Sequence, residues 1–227
     1  MRKAIVNFAS GRWYPRGQVR LQKSLRDTGF DGKFFGFQDT KLIGGPLHQK
    51  VPYAFKIYSI KYAWTHGFDA IIYADASIWA VRPWNPVWEI VESQGYYFEE
   101  AGQWSGTWTK DGLLNKMGVT RNEAMEIPML TAGFTCLNMQ SDIGKEFFKE
   151  WWKYADDNYS FCGTWGNENR QMSRDPRCKG HRHDMSVASI LAHKMGMKLG
   201  KGGTFLAYIG PAYNKPKDSV IAYLQPC

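Results

Sequence analysis

The sequence predicts an α/β fold with a mixed, mostly parallel sheet flanked by helices, and three observations carry that prediction. Short runs of strand formers recur along the chain: KAIVNFA (3–9), the uncharged AIIYA (70–74) and TAGFTCLN (131–138). Segments with helical spacing fall between the early strands, giving strand, helix, strand, helix, strand. AIIYA ends abruptly in Asp75-Ala76-Ser77, as a strand buried on both faces does when it reaches the edge of its sheet. In open α/β sheets that edge is where ligands bind.

Taken in order, residues 3–9 read as the first strand, followed by a loop, SGRWYPRG. Residues 19–28 have Leu21 and Leu25 at helical spacing, and Gly29 ends that helix. Arg12, Arg16 and Arg20 gather after the first strand, either as phosphate contacts or as solvated charge. Residues 33–37 form a second strand. Pro52 marks the start of a helix over 53–66, apolar almost all round and therefore buried, with Gly67 as its stop. After 70–74, a second apolar run, 78–81, stops at Arg82-Pro83, and a helix then reaches about Gln94.

Residues 96–101 read as one strand carrying Glu99 and Glu100. The glycine-containing loop 102–110 holds Trp104 and Trp108, which read as a lid or platform, or else as rings buried under the loop. Thr120 and Glu123 have capping-box spacing. Residues 131–138 form an apolar strand in which Gly133 allows close approach to the backbone. Ser141 caps a helix to about Asp157. Residues 159–180 form a polar, basic loop, and His181-Arg182-His183-Asp184 leads into a helix over 185–195. A last strand at 205–209 leaves a tail, 210–227, that reads as mobile. No repeat or linker interrupts the chain, so 1–227 reads as one domain with its core over about 3–200.

Composition narrows the function. No apolar run approaches the roughly 20 residues that cross a bilayer, and MRKAIVNFAS is too polar for a signal peptide. Four scattered cysteines fit reduced thiols and a cytoplasmic setting. A net charge of +8 points to a polyanionic partner or an anionic substrate. Ten Trp and twelve Tyr supply platforms for sugar rings or bases. There is no GxGxxG fingerprint, P-loop or GxSxG elbow, which argues against dinucleotide binding, NTP hydrolysis and serine-type catalysis. Cys162, Cys178, His181 and His183 include zinc-type ligands, but their spacing matches no standard finger.

Two carboxylates stand out. Asp75 either caps a turn or meets a ligand. Asp184 either caps a helix or, held charged among His and Arg neighbours, orients or deprotonates a substrate hydroxyl.

Together these pieces resemble a GT-A-fold, nucleotide-sugar-dependent glycosyltransferase over roughly residues 3–200. The segment PYAFK (52–56) running into IIYADAS is similar to the approach to the family's DxD motif. TAGF (131–134) looks like its donor-sugar segment, and His183-Asp184 resembles the position of an inverting base. The resemblance implies transfer of a sugar from a nucleotide-diphosphate donor, a UDP-sugar for preference, to a hydroxyl acceptor. It implies donor contacts at Ala9, Arg12, Lys56, Asp75, Ser77 and Gly133, and acceptor or lid roles for Trp104, Trp108 and His183. It further implies Mn²⁺ or Mg²⁺ on Asp75 and Ser77, with Asp184 catalytic. Ser77 stands where the motif has its second carboxylate, and no His follows His193. Two other readings accompany this one: a glycosyltransferase acting on a hydroxylated DNA base, and a non-enzymatic module that binds nucleic acid or carbohydrate.

Overall fold

The computed structural model describes residues 1–208 and 220–224. β1 (Lys3–Phe8), α1 (Tyr14–Asp27) and β2 (Lys33–Phe37) come first, then α2 (Ala54–Thr65) and β3 (Ala70–Ala74). β4 (Ile78–Ala80), α3 (Asn85–Gln94), β5 (Tyr96–Tyr97) and β6 (Glu100–Trp104) follow. Next are α4 (Asp111–Met117), α5 (Arg121–Ala124), β7 (Pro128–Leu130), β8 (Phe134–Asn138) and α6 (Asp142–Asp156). α7 (His183–Lys194), β9 (Leu206–Tyr208) and β10 (Ala222–Leu224) complete the described elements.

The central sheet has the order β2-β1-β3-β8-β5. β1 runs parallel to β2 and β3, while β8 lies antiparallel to both β3 and β5. Only β8 is reversed, so the sheet is mixed and mostly parallel, as predicted. Alternation splits the strand residues between two cores. Val6, Ile71, Tyr73 and Leu137 pack with α2, α6 and α7 on one face. Ile5, Ile72, Ala74 and Cys136 pack with α1 and α3 on the other. A small sheet, β4-β10-β9, closes the second face.

Several boundaries differ from the sequence reading, each for a local reason. α1 begins at Tyr14 rather than Val19, because Pro15 sits in its first turn, where a missing N–H costs nothing. α2 begins at Ala54, after Tyr53 takes a left-handed conformation, so Pro52 lies outside the helix. The strand expected over 96–101 is two strands in two sheets, divided at the buried Glu99. The loop expected over 102–110 is largely the end of β6 and a 3-10 turn at Ser105–Thr107. The expected tail 210–227 is corrected in part. Ala222–Leu224 belong to the small sheet, where Tyr223 pairs with Trp79 and Ala207. Residues 210–219 and 225–227 lie outside the described residues. The Thr120–Glu123 capping box and the Ser141 cap are both formed.

Candidate active site

The C-terminal ends of β1 and β3 and the turn before β8 open into a cleft of about 610 Å³. Its walls include Phe8, Tyr53, Lys56, Asp75, Ser77, Gly133, Trp165, Arg182 and Asp184. Backbone pairing places Asp75: its N–H donates to Gly133 O at 2.8 Å, and its own carbonyl accepts from Ile78 N–H at 3.0 Å. A Cβ on Gly133 would lie 2.5 Å from Asp75 Oδ2, so only glycine leaves room for that carboxylate. Tyr73, two residues earlier and therefore on the same face of the strand, donates to Asp75 Oδ1 at 3.0 Å.

Lys56 ties the two carboxylates together. It stands in the first turn of α2 and is 4% exposed. Its Nζ lies 3.0 Å from Asp184 Oδ2 and 3.7 Å from Asp75 Oδ2, and it donates to Ala132 O at 3.2 Å. Burial works against its charge, but Asp184 first and Asp75 second outweigh that effect and hold the ammonium above its ordinary range. Burial dominates at Asp184, where it raises the carboxyl to about 6 against the opposing pull of Lys56. A buried pair of this kind adds little net stability, although losing one partner costs about 3–5 kcal/mol. What it provides is a carboxylate fixed at the floor of the cleft.

Two residues beside this pair have a left-handed backbone: Tyr53 with φ 62° and His183 with φ 50°. Non-glycine residues there are strained, and such strain gathers at working sites. Their rings meet at 5.3 Å, and burial raises the Tyr53 phenol to about 12. His183 donates from Nδ1 to Phe161 O at 2.8 Å, and burial lowers its imidazole to about 4, so it is neutral at pH 7.

The structure brings Asp75, Ser77, Lys56, Gly133 and Asp184 to one cleft and leaves the other expected residues elsewhere. Ala9 is buried, with its N–H on Phe37 O at 2.8 Å. Arg12 and Arg16 stack on Trp13, while Arg20 stacks on Trp79 and donates to Ser77 O at 3.1 Å. Trp104 is half exposed at the end of β6, outside the cleft lining. Trp108 covers one face of Arg182, and His183 lies behind Tyr53 and Trp165. Sequence reasoning missed Tyr53, Tyr73, Trp165 and Arg182. Tyr73 was findable, since residues two apart in a strand share a face.

The suggested zinc ligands do not assemble. Cys162 points to the Lys50 and Asn158 carbonyls, Cys178 to Thr109 O, and His181 Nε2 to Ser160 O. Among the described residues, no three His, Cys, Asp or Glu side chains gather as a metal cage. Asp75 is different, because its carboxylate is about one-third exposed to the cleft. With both acids ionised, one ammonium against two carboxylates leaves this floor one charge negative. A hard cation taking most of its oxygens from water and a diphosphate fits that donor set.

The fold is shared with a solved xylosyltransferase. The chain is similar to the crystal structure of mouse xyloside xylosyltransferase 1 in its apo form, with a TM-score of 0.55 and 12% identity. That likeness covers 99% of this chain and 98% of the mouse chain. No family model matches the sequence, and no curated protein does. Among the described residues, no helix is long and apolar enough to cross a membrane.

Proposed function

We propose that the protein transfers a sugar from a nucleotide-diphosphate sugar to a hydroxyl acceptor, within the cytoplasm, and that 1–227 works as one catalytic domain. The observation that carries this reading is the Asp75–Lys56–Asp184 cluster at the strand ends of a glycosyltransferase fold. In this reading the donor lies with its diphosphate toward Asp75 and Ser77 and its sugar against Gly133, which lines the same cleft.

Asp75 and Ser77 would hold Mn²⁺ or Mg²⁺. A cation bound there offsets the negative floor and the charge that builds on the departing diphosphate. Lys56 keeps Asp184 ionised near neutral pH and fixes its position. If the reaction inverts the sugar centre, Asp184 takes the proton of the acceptor hydroxyl; if it retains, Asp184 orients the donor sugar. A UDP-sugar is the donor we favour. No feature of the cleft specifically favours DNA over another acceptor.

The test is release of nucleoside diphosphate from a panel of nucleotide-sugars, with and without MnCl₂. We expect one donor to be hydrolysed slowly without acceptor and faster with Mn²⁺. Absence of turnover across the panel would return the protein to the binding-module reading.

A further inference from the structure

Arg182 is clamped between two indoles. Its guanidinium carbon lies 3.8 Å from the ring centroid of Trp108 and 4.1 Å from that of Trp165. The same tripeptide, Gly-Thr-Trp, supplies both rings, at 106–108 and at 163–165. The backbone before α7 runs between these two loops and bonds to each. Lys179 N–H donates to Thr107 O at 2.8 Å, His181 N–H to Thr164 O at 2.9 Å, and Arg182 N–H to Trp108 O at 3.0 Å. Ser186 Oγ adds a bond to Trp108 O at 2.6 Å. Gly180 permits this fit, since a Cβ there would meet Trp165 O at 1.9 Å.

Among the described residues, the clamp holds a charge without a counter-ion: no carboxylate forms an ion pair with Arg182. Its Nε is buried and has no hydrogen-bond partner among them. Arg182 lines the cleft, and the neighbouring His183 imidazole is neutral at pH 7. A planar fork of N–H donors held rigid between aromatic faces matches an oxyanion, which it can bind through two parallel bonds.

The fork and the donor end of the cleft come from different elements. Asp75 and Ser77 leave β3, whereas Arg182 arrives with α7, and Tyr53, Lys56 and Asp184 line the cleft with them. Arg182 precedes Asp184 by two residues and both line the cleft, so the fork and the carboxylate that would act on an acceptor hydroxyl arrive on one segment.

We propose that Arg182 is the acceptor-side anchor of the cleft and that the acceptor carries a phosphate or carboxylate group. This rests on the glycosyltransferase reading and narrows its acceptor class.

The experiment titrates glucose, glucose 6-phosphate and glucuronate into protein saturated with UDP and MnCl₂, followed by calorimetry and tryptophan fluorescence. We expect both anionic sugars, or one of them, to bind at least tenfold more tightly than glucose; the tighter one names the group. Arg182→Gln should erase that preference and Arg182→Lys should keep part of it, with melting curves showing that both variants fold. Equal binding of all three sugars overturns the proposal. So does an Arg182→Gln variant that loses UDP affinity as severely as sugar-phosphate affinity, because the guanidinium would then serve the donor. Titration with inorganic phosphate alone separates the two readings. If UDP fails to bind while phosphate still perturbs wild-type fluorescence and not that of Arg182→Gln, the transferase reading falls and the anion site stands.

Discussion

Asp75 and Asp184 are 109 positions apart in sequence (184 − 75), yet Lys56 Nζ reaches both within 3.7 Å. Each acid was visible in the sequence from its place at a strand end or helix start, and the lysine only through family resemblance. A buried lysine is legible only once its partners are known, because composition predicts it to be solvated. Burial raises Asp184 to about 6, and this has a kinetic consequence. Below that pH the carboxyl is neutral and cannot accept a proton from a hydroxyl. Donor hydrolysis should therefore fall as pH drops through about 6. Asp184→Asn should lower the rate by roughly 10²-fold or more and flatten that limb. A full acid limb persisting in the variant would assign the titration elsewhere. Arg182 marks the other limit of sequence reading, since its lack of a counter-ion among the described residues appears only when both Gly-Thr-Trp loops are in place.

At the scale of elements, strands with uniform chemistry were legible to the residue. β2 and β3 coincide with their expected spans, because uncharged or aromatic runs between turn residues have one plausible conformation. The break between β5 and β6 was not legible, because its cause lies about 100 residues downstream. Glu99 Oε1 accepts from the N–H groups of Gly203 at 2.8 Å, Thr204 at 3.1 Å and Leu206 at 3.3 Å. Its Oε2 accepts from Phe205 N–H and Tyr97 Oη, both at 3.0 Å. One side chain thus ends a strand of one sheet and holds the entry to another. Glu99→Ala leaves those donors, the buried Phe205 and Leu206 N–H groups among them, without an acceptor, and we expect a loss of about 3 kcal/mol in denaturant unfolding. Glu99→Gln, which keeps one oxygen, should lose less. A neutral Glu99→Ala would mean that solvent already reaches these amides.

Over the whole molecule, the order β2-β1-β3-β8-β5 puts three parallel strand ends on one edge, and the reversed β8 brings Gly133 to the same edge. The alternation of elements made the parallel half of this sheet readable. The reversal of β8 was not, because a buried strand shows the same uniform run in either direction. The small sheet was missed for a related reason: its strands, β4, β9 and β10, are three residues each and come from distant parts of the chain. The edge so formed is the central claim, namely that Asp75 meets the diphosphate end of a nucleotide-sugar. Calorimetric titration of UDP in MnCl₂ against the wild type and Asp75→Ala tests it most directly. The account predicts saturable binding by the wild type and at least a tenfold loss in Asp75→Ala, with both proteins melting alike. No binding by the wild type, or equal affinity in the two, would contradict it.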